Sequence, residues 1–258
     1  MKKALKLLAI SIAVVFLFAG ISMADTINTR PVYTSGGTLD SLQGIMTGIG
    51  SSIDVRADQE DYAIFTNQSA GSNAAYVASL SWNATGFPFE FGIYEYGNIT
   101  NQVAVFKDST DGTGASNPGD YTTINFDAGS GTIYSEFHDA GTIGSTVIGS
   151  TTDWMDSFGF YFSWDAGNNI YYSEDSLNGT GASFLSFLGK GEDVTIGGLT
   201  ANDANHRYVA MEGWGGTLDF NDIVVQLESV VPVPEPATLL LLGFGLVGLA
   251  GASRKFKK

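Results

Sequence analysis

The sequence has no cysteine, two histidines and only 12 Lys and Arg in 258 residues, and each shortage removes a class of function. Without cysteine there is no disulfide framework, no thiolate nucleophile and no thiolate-held zinc or iron–sulfur centre. The few cations are also displaced to the ends. Between Asp25 and Pro236 all 27 acidic residues face only five basic ones, Arg30, Arg56, Lys107, Lys190 and Arg207, a net charge of −22 against −15 for the whole chain. Nucleic-acid affinity depends on Lys and Arg neutralising phosphates, so DNA and RNA are excluded as partners and cations are the natural ones.

Local enzyme signatures are missing as well: there is no His-Glu-x-x-His, no Gly-x-Ser-x-Gly and no Walker loop. Gly243-Phe244-Gly245-Leu246-Val247-Gly248 matches the dinucleotide fingerprint by letter. It lies inside an apolar run with no preceding strand, so the match carries no chemistry. A triad using His138 or His206, or a carboxylate pair such as Glu136 with Glu174, has no local spacing that identifies it. The expectation is a protein without catalytic activity.

The ends carry the clearest signals. Lys2, Lys3 and Lys6 precede an apolar run from Leu7 to Ala19 that closes on Ser22-Met23-Ala24, the three-part pattern of a secretory signal cut before Asp25. At the other end, Val231-Pro232-Val233-Pro234-Glu235-Pro236 precedes an apolar stretch from Ala237 to Ala252 and the basic stop Arg254, Lys255, Lys257 and Lys258. The prolines predict an extended spacer. The apolar stretch covers about 24 Å as a helix, slightly short of a bilayer core, so its flanking cations must snorkel to complete the span. By the positive-inside rule those cations stay cytoplasmic and residues 25–236 lie beyond the inner membrane.

Pro234-Glu235-Pro236, the Gly-rich apolar helix and the short basic tail together resemble the bacterial PEP-CTERM sorting signal. The resemblance implies recognition by the membrane protease exosortase, removal of the tail, and transfer of the remainder to the outer surface, commonly in Gram-negative bacteria that make exopolysaccharide.

The chain between the ends is rich in Gly, Ser, Thr, Asn and aromatic residues, a composition that favours strands joined by turns. Phe158, Phe160, Phe162 and Trp164 alternate along one face, as do Tyr76, Ala78, Leu80 and Trp82, and Phe87, Phe89, Phe91 and Ile93. Further strands are predicted at 102–106, 121–126, 132–137, 170–172, 182–188, 208–214 and 223–227. One short helix is expected over Leu39–Ile49, with Thr38 as its cap. The predicted fold is all-β: an antiparallel β-sandwich or jelly roll over 61–229. A signal helix over 1–24 and a segment with the short helix over 25–60 precede it. A proline-rich linker over 230–236 and a membrane-spanning sorting tail over 234–258 follow.

Within the domain, Glu212, Asp219, Asn221 and Asp222 flank a Gly-rich bend and offer hard oxygen ligands suited to calcium, although not in the EF-hand spacing. The alternative is a hairpin whose acidic side chains cap backbone N–H groups. The same segment, Glu212-Gly213-Trp214 followed by Asp219-Phe220-Asn221-Asp222, is similar to the DUF4114 family of exported bacterial domains. Phe91-Gly92-Ile93-Tyr94, Phe158-Gly159-Phe160-Tyr161, Tyr171-Tyr172-Ser173 and Ser176-Leu177-Asn178 match its blocks in order. The resemblance spans Ala75 to Glu228 and implies an exported β domain with calcium as an expected ligand and no catalysis. The chain departs from the commoner pattern at Gly213, where many relatives carry an acidic residue, and at Leu218. Trp154 and Trp214 are candidates for stacking on sugars of an exopolysaccharide, whereas Trp82 and Trp164 continue apolar faces and are expected in the core.

Overall fold

The computed structural model describes residues 42–60, 62–68, 74–82 (backbone only), 89–107, 119–127, 130–139, 144–154, 157–164, 167–179, 183–213 and 219–233. The signal segment, Trp214 and the whole tail, including Pro234, Glu235, Pro236, Arg254, Lys255, Lys257 and Lys258, lie outside them. All described elements fall in one compact unit spanning 27–233.

Sixteen strands and one short α-helix are described. The helix α1 is Leu42–Gly48, and the strands are β1 (Gln59–Glu60), β2 (Phe65–Asn67), β3 (Ala74–Trp82), β4 (Phe89–Glu95), β5 (Asn98–Lys107), β6 (Tyr121–Asp127), β7 (Thr132–His138) and β8 (Thr146–Thr151). They continue with β9 (Ser157–Trp164), β10 (Asn169–Tyr172), β11 (Phe184–Leu188), β12 (Asp193–Ile196), β13 (Leu199–Asn202), β14 (Arg207–Met211), β15 (Ile223–Glu228) and β16 (Val230–Pro232). Eight form a sheet in the order β1-β11-β14-β15-β3-β6-β7-β8; a second runs β16-β2-β9-β4-β5, with β10 also on β9; β12 and β13 make a separate hairpin. Pairing within all three is antiparallel.

The two larger sheets face each other across an aromatic core. Phe160 of β9 stacks on Phe184 of β11 with centroids 5.9 Å apart, Phe106 of β5 meets Phe137 of β7 edge-on at 6.3 Å, and Phe126 of β6 stacks on Phe158. Period-two alternation explains the arrangement, because Phe158, Phe160 and Phe162 project to one side of β9 and are fully buried there. Trp164 packs partly buried against the same core, as its place on that face predicts.

Half of the eight-stranded sheet is buried on its outer face too. Leu185, Phe187, Tyr208, Ala210 and Val224 point away from the aromatic core into a second cluster that Leu42, Met46, Ile53, Val55 and Phe220 complete. Residues 42–60, ahead of the predicted sandwich, are therefore part of its packing, and β1 extends the sheet from within them. The helix is described over Leu42–Gly48, within the stripe predicted over Leu39–Ile49, whose residues 39–41 lie outside the described residues, and Leu42 and Met46 are its buried positions as that stripe requires.

The expected linker also changes. Residues 230–232 form β16, paired with β2 through Val230–Asn67, Val231–Thr66 and Pro232–Phe65, and the Val233 N–H donates to the Ile64 carbonyl at 2.9 Å. Proline is tolerated because β16 is an edge strand, where a missing N–H faces no partner.

Two glycines in the second sheet permit a close cross-strand fit. Gly92 stands opposite Tyr161, and Tyr94 opposite Gly159. A Cβ on Gly92 would lie 2.4 Å from the Val103 carbonyl oxygen and 2.5 Å from the Tyr161 ring, and one on Gly159 would lie 2.4 Å from the Tyr94 ring. Each tyrosine therefore covers the backbone of the facing strand. Their hydroxyls are bonded to carboxylates, Tyr94 to Glu174 at 2.7 Å and Tyr161 to Glu90, and burial followed by those acidic neighbours raises both phenols above their ordinary range.

Candidate functional site

The acidic bend joins β14 to β15, the two strands buried on both faces, so its described ends are rigidly placed. Glu212 follows Met211 and its N–H donates to the Ser183 carbonyl at 3.0 Å. The Glu212 carboxylate reaches across the bend, where Oε2 accepts the Phe220 N–H at 3.0 Å. In return, Asp222 Oδ2 accepts the Gly213 N–H at 2.7 Å. The Asn221 amide donates to Asp219 Oδ2 at 3.1 Å. The four residues named from spacing are thus brought to one place, and the apex 214–218, with Trp214, is outside the described residues.

Phe220 shows how this closure is held. Its φ of 51° is a conformation that bulky residues rarely adopt, and it is fully buried in the outer cluster. The turn aims the N–H at Glu212, and the side chain joins the outer cluster that holds Leu185 and Val224. Gly213 is equally constrained: a Cβ there would sit 2.4 Å from the Phe162 ring.

Glu212 is 5% exposed, and its carboxyl is pushed up to about 9, first by burial and then by the charge of Asp222; the Phe220 N–H pulls it back in part, and Asp219 adds a smaller upward push through a hydrogen bond and its charge. At neutral pH the bend compensates its like charges with a bound proton. Hard carboxylate oxygens at Glu212, Asp219 and Asp222 with the Asn221 amide are the donor set that calcium takes. Among the described residues, however, no three His, Asp or Glu side chains converge in a ready metal-holding geometry. The proton and the backbone N–H groups do the compensating in this arrangement.

The other sequence candidates fall elsewhere. Trp154 is partly buried against the aromatic core, with its indole N–H buried and unpartnered, and it is not an exposed platform. Glu136 on β7 accepts from Asn125 at 3.4 Å, whereas Glu174 accepts from Tyr94 of the other sheet, so the two carboxylates have different surroundings. His138 stacks on Tyr121, and His206 Nε2 lies 4.0 Å from Glu228.

Sequence reading missed Asp203, another of the buried carboxylates. Asp203 is fully buried; its Oδ1 accepts the Gly191 and Glu192 N–H groups, both at 2.8 Å, and its Oδ2 accepts the Tyr208 hydroxyl at 2.9 Å. It fixes the loop entering β12, and the only sequence signal for it is Gly189, where a Cβ would meet the Asp203 carbonyl oxygen at 2.0 Å.

Among the described residues no helix is long and apolar enough to cross a membrane. No curated protein and no solved structure matches the chain. The PEP-CTERM protein-sorting motif matches residues 232–255, beginning on the last residue of β16. The chain carries the sorting signal of an exported protein that crosses the inner membrane, is processed by exosortase and ends at the surface or outside the cell.

Proposed function

We propose that this protein is a non-catalytic component of the cell surface or extracellular matrix, built on a sandwich that calcium stabilises at the acidic bend. Export and sorting deliver it, and no turnover is required of it once there. The observation that carries the calcium reading is Glu212, a buried carboxyl forced to keep a proton by Asp222 and Asp219. A divalent cation satisfies the same charges without that proton and offsets part of the −22 self-repulsion. Glu212, Asp219, Asn221 and Asp222 are the residues that would hold it. The resemblance to DUF4114 domains over Ala75–Glu228 supports the same reading.

The test is a thermal melt of the full-length protein in mild detergent, in calcium and then in excess chelator. Binding to the folded state alone raises stability by mass action, by about 2.7 kcal/mol at a hundredfold excess over Kd. A rise with calcium that Asp219→Ala plus Asp222→Ala removes supports the proposal, and an unchanged melt rejects it. Replacing Pro234, Glu235 and Pro236 by alanine tests delivery separately: the unprocessed chain then accumulates in the inner membrane.

A further inference from the structure

The eight-stranded sheet has two unlike outer faces. Over β11, β14 and β15 the outward residues are aliphatic and aromatic and are covered. Over β6, β7 and β8 they are different in kind. Thr122 and Ile124 of β6 and Ile133, Ser135 and Phe137 of β7 are buried towards the core, leaving Tyr121, Thr123, Asn125, Tyr134, Glu136 and His138 on the outside, each half-buried. No described helix or strand is laid over them.

Register brings these six into three cross-strand pairs: Tyr121 with His138, Thr123 with Glu136, and Asn125 with Tyr134. The Tyr121 and His138 rings stack at 4.4 Å with planes 8° apart. Asn125 donates to Glu136 at 3.4 Å. Tyr134 lies four residues from His138 on the same face, about 14 Å along the strand. The face thus offers aromatic groups at both ends and an amide, a carboxylate and a hydroxyl between them. The strands beneath are held to the opposite sheet, because the Thr122 and Ser135 hydroxyls donate to the Val105 and Ala104 carbonyls of β5.

We infer that this face binds a neutral polysaccharide chain. Aromatic rings cover the C–H faces of sugars, and amide and carboxylate groups hydrogen-bond their hydroxyls. A sheet face suits an extended polymer better than a small ligand, which needs a concave site. Charge selects among polymers: these pairs include Glu136 and no Lys or Arg, on a domain of −22, so anionic chains are repelled. Val147 of β8, paired with Glu136 and 56% exposed, adds one aliphatic group at the edge of this otherwise polar and aromatic face. The inference rests on the surface reading only for where such a polymer is met.

Native affinity electrophoresis of the full-length protein in mild detergent tests it, with hydroxyethylcellulose, galactomannan or alginate cast into the gel. Retardation by at least one neutral polymer and not by alginate is expected, weakened about tenfold by either Tyr121→Ala or Tyr134→Ala, the size of one lost aromatic contact. Both variants should stay folded with a cooperative melt only slightly below that of the parent, and Trp154→Phe should bind like the parent. Absence of retardation by both neutral polymers overturns the inference, as does binding that survives the double tyrosine variant. Concentration-dependent dimers lost in Tyr134→Ala, without polymer binding, would make the face a contact between copies and also overturn it. None of these results alters the calcium melt or the fractionation of the Pro-Glu-Pro variant.

Discussion

Replacing Glu212 by glutamine isolates the proton held in the acidic bend. Glutamine keeps an oxygen for the Phe220 N–H and supplies a neutral group towards Asp219 and Asp222, so it mimics the protonated carboxyl. Glu212 titrates near the ordinary glutamate value of 4.5 when unfolded, and the fold pushes it up to about 9. Its folded value is raised, so its contribution is fully present below pH 4.5 and is lost as pH rises towards 9. Between those limits the folded state holds up to one proton more, and stability falls by at most about 1.4 kcal/mol per pH unit. From pH 5 to 8 that is at most about 4 kcal/mol, or roughly 8–16 °C for a domain of this size. Melts of parent and Glu212→Gln across this range in chelator should diverge, the parent falling more steeply. Calcium should flatten the parent curve, with an effect that grows with pH because the cation displaces the proton. Parallel curves for the two proteins in chelator would refute the reasoning, since they would mean that Glu212 binds no extra proton in the fold.

Gly92→Ala should lower stability by about 1–3 kcal/mol through overpacking against Val103 and Tyr161, while Gly48→Ala, with nothing within 4 Å of the added Cβ, should leave the melt unchanged or slightly raised. Asp203→Ala leaves two part-buried N–H groups without their acceptor and takes the acceptor from the buried Tyr208 hydroxyl, and should cost about 2–3 kcal/mol in chemical denaturation. Mass spectrometry of the processed protein should find its C-terminus beyond Val233, because the chain up to that residue is bonded into the second sheet.

Legibility in the sequence followed side-chain size. The strands of β9, β6 and β7 were evident because large apolar residues alternate with polar ones, and Phe158, Phe160 and Phe162 are buried where that alternation puts them. β8 escaped notice because Thr146–Thr151 has little bulk, and Gly149 is small because a Cβ would meet the Ala104 backbone at 2.8 Å. The β12–β13 hairpin turns at Gly197 and Gly198, and its exposed second strand leaves no apolar stripe to read. Val230–Pro232 looked like a spacer because its proline content says nothing of a partner 160 or so residues earlier in the chain, at Phe65–Asn67. At the bend, Glu212, Asp219, Asn221 and Asp222 were legible as a group from their spacing. The burial that raises Glu212 was not, since it arises from strands paired across the domain, and neither was the Phe162 ring that forbids a side chain at Gly213.

The passage from β15 to β16 has a mechanical consequence. Ser229, with φ of 62°, turns the chain from the middle of one sheet to the edge of the other. If the processed protein is tethered at its new C-terminus, tension enters at Val233 and meets first a three-residue edge strand with a neighbour on one side only. Once β16 detaches, the same pull reaches β15, flanked by β14 and β3 and buried on both faces. The domain would thus yield in two steps, a compliant one that lengthens the tether by a few residues and a stiff one that resists until the sandwich itself opens.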